Sequence, residues 1–140
     1  MSLTWHGERL IDRSGDAQRI GLNETLAECV DTSKAIHTWR NRTGTLEGSI
    51  RIDQFAHRSG SGYAGTWGSK DVVYALIHEL GGVVKPVRAK ALRFQVDGQW
   101  VIAQSVTIPA RPYLRPSADM NYPRLGHNIA RALRYLGGGR

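Results

Sequence analysis

A chain of 140 residues is long enough for one hydrophobic core and too short for two domains of ordinary size, so residues 1–140 read as a single domain. A hydrophobic fraction of 41% beside 22% charged residues excludes wholesale disorder, and no apolar run approaches the length of a membrane span. The net charge of +7, with arginine supplying 15 of the 19 basic residues, points to nucleic acid or to an acidic protein partner without choosing between them.

The first twenty residues, MSLTWHGERLIDRSGDAQRI, mix acidic and basic groups and lack the continuous apolar core of a secretory signal, so folding in the cytoplasm is expected. From Leu22 to Trp39 the residues Leu22, Leu26, Cys29, Val30, Ile36 and Trp39 recur at helical spacing, which predicts an amphipathic helix of about five turns ending near Gly44. The lone Cys29 excludes an intrachain disulfide, and its position on that apolar stripe predicts a buried thiol rather than a nucleophile. LEGSIRI then alternates, Leu46, Ile50 and Ile52 against Glu47, Ser49 and Arg51, as a half-buried strand does. The glycines and serines of HRSGSGYAGTWGS predict a flexible connection. Its Tyr63 and Trp67 either lie in a short returning strand or serve as aromatic anchors for a partner.

Next, VVYALIHELGG predicts a short helix capped at its start by Asp71 and stopped by Gly81-Gly82. His78-Glu79 match the first two letters of the HExxH zinc-protease signature, in which two histidines four apart share a helix face. Gly82 stands where the second histidine would be, and His6, His37, His57 and His127 complete no ligand spacing. No catalytic, metal-binding or cofactor-binding residues are therefore expected, and the chain reads as a non-enzyme without a cofactor.

ALRFQVDGQWVIAQSVTI predicts an antiparallel hairpin turning at Asp97-Gly98, with Leu92, Phe94 and Val96 alternating before the turn and Trp100, Ile102, Val106 and Ile108 after it. IPARPYLRP holds three prolines in eight residues and reads as a rigid extended passage. A last helix follows, with Leu125, Ile129, Ala132 and Leu136 on one stripe, Arg124, Arg131 and Arg134 away from it, Pro123 at its start and Gly137 past its end. This order predicts an α+β fold: a small antiparallel β-sheet with a long N-terminal helix, a short middle helix and a C-terminal helix packed against it.

Three segments, TGTLEGSI, YALIHELGG and IPARPYLRP, in this order and at these separations, resemble the phage virion morphogenesis family of Mu-like tailed phages, which is similar to tail-completion and head-tail joining proteins. The matching positions are Thr43, Gly44, Leu46, Ser49, Tyr74, His78, Glu79, Gly81, Gly82, Pro109, Arg111 and Pro112. Leu76 and Leu80 are apolar exchanges, and Tyr113 stands where the family pattern has phenylalanine. The segments span about half the chain, and the flanking helices match in kind only.

The resemblance implies a structural virion-assembly domain: a neck, tail-completion or tail-terminator component that joins the tail tube to the head connector. It implies a homo-oligomeric ring, hexameric in the assembled particle, in contact with tail-tube and head-tail connector proteins and close to phage DNA, with no membrane partner. The location it implies is the virion, and the host cytoplasm during assembly. Tyr63, Trp67, Arg124, Arg131 and Arg134 are the candidate interface residues, because arginine and aromatic side chains are enriched at protein interfaces. Glu79 either pairs with Arg111, held between Pro109 and Pro112, or both side chains are solvated. The alternative, from the charge alone, is a small basic nucleic-acid-binding protein.

Overall fold

The computed structural model describes residues 2–3, 7–37, 44–72 and 75–137, with positions 7–11 described by their backbone. The first element, α1 (Gly7–Ile36), has 30 residues and is roughly 45 Å long. It starts fifteen positions before the predicted Leu22 and ends at Ile36; the predicted last residue, Trp39, lies outside the described residues. The early part escaped the periodicity reading because its buried positions are small: Ala17 and Gly21 mark the face that lies against other elements. Small side chains leave a weak hydrophobic signal while allowing neighbours to approach closely.

The C-terminal elements, α4 (Leu114–Asn121), a 3-10 turn (Tyr122–Arg124) and α5 (Leu125–Leu136), lie against α1. A Cβ built on Gly21 would fall 2.7 Å from both the backbone N and the Cα of Ile129 on α5, so the two helices touch backbone to backbone. Buried polar groups set their register. Asn128 donates to Thr25 Oγ1 at 3.0 Å and Glu28 Oε2 at 3.2 Å, and Ser117 donates to the Cys29 carbonyl at 2.6 Å. Asn121 reaches Thr32 at 2.9 Å, and Ser33 donates to the Tyr113 carbonyl at 3.0 Å. Gly21→Ala gains about 1 kcal/mol of helix propensity and must displace α5, so a net loss of about 1–2 kcal/mol is expected in urea unfolding.

Another face of α1 carries the hairpin of β1 (Ile50–Ser59) and β2 (Gly62–Ser69). There Gly65 lies so close to Leu26 that an added Cβ would meet its Cδ1 at 2.6 Å, and Asn23 accepts the Ala56 N–H at 2.7 Å. Register shifts between Ile52 and Gln54 and between Gln54 and His57 mark bulges, which break the alternation and leave Phe55 exposed. The remaining strands are β3 (Gly82–Val84), paired with β6 (Val106–Ile108), and β4 (Leu92–Val96), paired with β5 (Gln99–Ala103). The fold is thus α+β as expected, with three antiparallel strand pairs among the described residues.

Several local expectations change. TLEGS is a one-turn helix, α2 (Thr45–Ser49), in which Ser49 Oγ donates to the Leu46 carbonyl at 2.6 Å, and the strand begins only at Ile50. Leu46 and Ile50 are four apart, a spacing that suits both a helix face and alternate strand positions, so the pattern was ambiguous. HRSGSGYAGTWGS is an ordered hairpin rather than a flexible connection: both strands continue through it around a turn at Gly60-Ser61. At the middle helix, α3 (Ala75–Leu80), Asp71 sits at φ 60° with its carboxylate 3.4 Å from Arg51, and positions 73–74, whose N–H groups it was expected to cap, lie outside the described residues. Val106 and Ile108 belong to a strand separate from β5, and the second half of IPARPYLRP is the start of α4 rather than an extended passage.

Candidate interaction surfaces

The three motif segments meet. Leu46 and Ile50 from the first, Ala75 from the second and Tyr113 from the third join Val30 of α1 in one buried cluster, with Trp67, Val72 and Leu114 packed against it. Ser49 is buried beside this cluster, and Gly44 takes the left-handed conformation at φ 71° before α2. Tyr113 is fully buried, and its hydroxyl lies 2.7 Å from Ser69 Oγ; burial raises its phenol above the usual range. The motif positions Thr43 and Tyr74 lie outside the described residues.

Glu79 holds the junction together. The first N–H groups of a helix have no intrahelical acceptor, and Tyr113, at the N-cap of α4, makes no side-chain cap bond. Glu79 fills the gap from a different helix: Oε2 accepts from Tyr113 N at 2.8 Å and Leu114 N at 3.0 Å, and Oε1 from Arg115 N at 2.9 Å. Its negative charge also faces the positive end of the α4 dipole. Backbone capping therefore takes the place of a Glu79–Arg111 ion pair. Arg111 is exposed, and its N–H donates to the His78 carbonyl at 2.8 Å. Gly81, at φ 70°, passes so close to the third segment that a Cβ would meet Ala110 N at 2.7 Å and the Ile108 carbonyl at 2.9 Å. Pro109 and Pro112 are exposed on either side of Arg111.

Among the described residues no three His, Cys, Asp or Glu side chains converge, and His78 is half-buried. Burial and, secondly, the Arg111 charge lower its pKa, which disfavours the imidazolium. Cys29 is buried, and desolvation, aided by the Glu28 carboxylate, pushes its thiol up to about 11 from 9.0. The folded thiol thus keeps its proton where the unfolded one would lose it. This contribution to stability is complete below pH 9 and is lost as pH rises toward 11. Iodoacetamide is expected to alkylate Cys29 slowly at pH 8 in the folded protein and rapidly in denaturant, and Cys29→Ala is expected to flatten the alkaline fall in urea midpoint.

The proposed interface residues are dispersed. Tyr63 is half-buried near Gly15, and Trp67 is half-buried and donates its indole N–H to the Tyr122 hydroxyl at 3.1 Å. Arg124 pairs with Glu28 at 3.3 Å and Arg131 with Glu24, both on α1, so these two guanidinium groups brace the helix pair. Arg134 is exposed.

A different surface stands out. The β4–β5 hairpin packs extensively on no other element among the described residues. Its register, Gln95 opposite Trp100 and Arg93 opposite Ile102, puts Trp100 and Ile102 on the face away from Phe94 and Val101. Trp100 is 59% and Ile102 72% exposed, and Arg93 lies over the Trp100 ring at 4.3 Å. Lys85, Arg88 and Lys90, all exposed, lead into this hairpin. The sequence contained the signal: a two-residue turn pairs positions whose numbers sum to the same total, which sends Trp100 to the face opposite Phe94.

No protein-family model, curated protein or solved structure matches this chain. Among the described residues no helix is long and apolar enough to cross a membrane.

Proposed function

We propose that this chain is a non-enzymatic structural protein of tailed-phage assembly, a ring-forming neck, tail-completion or tail-terminator component that joins the tail tube to the head connector. The observation that carries the reading is the junction. Three segments that resemble the virion morphogenesis family, far apart in sequence, share one buried cluster and are tied by the Glu79 cap and the Gly81 contact. A resemblance that follows a physical unit is stronger than three separate matches. The projecting hairpin fits a protein whose work is done by contact. Its partners in this reading are other copies of itself in a hexameric ring, tail-tube and connector proteins, and nearby phage DNA, in the virion and, during assembly, in the host cytoplasm. The test is a reconstruction of intact particles produced with this chain. Symmetric copies at the neck or the head-proximal end of the tube are expected; a particle that lacks the chain would overturn the reading.

A second reading, a small basic nucleic-acid-binding protein, is favoured by one observation: Arg93 lies over the exposed Trp100 ring, and Lys85, Arg88 and Lys90 are exposed in the segment that leads into that hairpin. It requires oligonucleotide affinity that falls steeply with salt, in proportion to the phosphates engaged.

A further inference from the structure

Resting on the ring reading, we infer that the β4–β5 hairpin of one copy docks in the groove between α1 and β1 of a second copy, with Trp100 entering the groove and Arg93 meeting Asp31 at its rim.

The hairpin is built to insert. An isolated two-stranded hairpin is marginal in water, and this one presents Trp100 and Ile102 to solvent with the Arg93 guanidinium stacked on the indole. Tryptophan and arginine are the side chains that most often carry the energy of a protein interface. Exposed aliphatic groups such as Ile102, Val83 and Val87 contribute nothing to base stacking, which favours a protein surface over nucleic acid as the occupant.

The groove is built to receive. It has a volume of about 300 Å³, room for one large side chain, and its apolar wall comes from Ala27 and Val30 of α1 and from Ile50, Ile52 and Phe55 of β1. Phe55, which the bulges turn outward to 64% exposure, forms its open lip. Asp31, also lining the groove, is exposed and has no ion-pair partner among the described residues; the same holds for Arg93. Of the two cations at the rim, Arg51 is engaged by Asp71 at 3.4 Å; Lys34 opposes an incoming guanidinium, and Asp31 is the one carboxylate among the lining residues that attracts it. Hairpin and groove are different surfaces of one chain. Each copy therefore offers one and accepts one, the head-to-tail arrangement that closes into a ring when the rotation permits.

Sedimentation velocity over a concentration series tests this with two variants on exposed positions, Trp100→Ala in the hairpin and Ala27→Arg in the groove. Each is expected to weaken self-association about tenfold or more while leaving the urea midpoint unchanged. Mixed one to one, they are expected to form dimers and nothing larger, because only one intact hairpin and one intact groove remain. Arg93→Asp is expected to weaken association, and combining it with Asp31→Arg to recover it. Wild-type protein that stays monomeric at the highest concentration reached, or variants that associate as wild type does, would overturn the docking. Salt-sensitive binding of a thymidine oligonucleotide that quenches Trp100 fluorescence, without self-association, would assign the hairpin to nucleic acid and also overturn it. A ring templated by the tail tube needs no self-association in solution, so failure here leaves the particle test of the assembly reading separate.

Discussion

Replacing Glu79 with alanine is expected to destabilise the protein by about 2–4 kcal/mol in urea unfolding, more than any other single surface-accessible carboxylate. The carboxylate accepts three backbone N–H groups, from Tyr113, Leu114 and Arg115, at 2.8–3.0 Å. Its removal leaves the first turn of α4 without acceptors and severs the link between α3 and α4. Because Tyr113 lies in the central cluster, fraying at that turn loosens the packing of Leu46, Ile50 and Ala75 as well. Glu79→Gln keeps one acceptor oxygen and loses the charge, so about half the loss is expected. If the role were instead the ion pair with Arg111, Arg111→Ala would reproduce the effect of Glu79→Ala. The capping geometry predicts that it changes the midpoint little, and the comparison of the two variants decides the point.

Gly81→Ala is the second large effect, also about 2–4 kcal/mol, from two separate causes. At φ 70° any L-residue with a Cβ is strained, and here the added carbon also lands 2.7 Å from Ala110 N and 2.9 Å from the Ile108 carbonyl, which are backbone atoms with little freedom to move. Gly98 isolates the first cause. It has φ 83° in the Asp97-Gly98 turn, and nothing lies within 4 Å of the position its Cβ would take. Gly98→Ala should therefore show the conformational cost alone, about 1–2 kcal/mol. The excess at Gly81 measures how tightly the second motif segment is pressed against the third. Equal losses at the two positions would mean that the 108–110 backbone yields, and that the junction is softer than its distances imply.

The elements read correctly from the sequence are those whose signal is local. Asp97-Gly98 between alternating apolar residues specified the β4–β5 hairpin, Gly81-Gly82 stopped α3, and the stripe Leu125, Ile129, Ala132 and Leu136 drew α5. Where buried positions are small or polar the pattern faded. The first half of α1 packs through Ala17 and Gly21, and α4 is held to α1 by Ser117 and Asn121, so neither shows an apolar stripe of normal width. TLEGS was read as a strand because a spacing of four fits both periods, and the register shifts in β1 removed the alternation that would have exposed the outward turn of Phe55.

The candidate sites divide in the same way. From the order of residues alone came the α+β class, the absence of a second zinc-binding histidine after His78-Glu79, and the three segments on which the proposed assembly role rests. Tertiary structure alone decided what those residues do. Whether a carboxylate meets a guanidinium or a helix N-terminus depends on which orphaned N–H groups the fold brings within 3 Å, and Glu79 is 34 positions from Tyr113. Whether an arginine is free depends likewise on the neighbouring helix: Arg124 and Arg131 are drawn to Glu28 and Glu24, while Arg93 is left on an open hairpin. Charge and residue type are properties of the chain, but partners are set by packing between distant segments, and no local pattern encodes which distant group arrives.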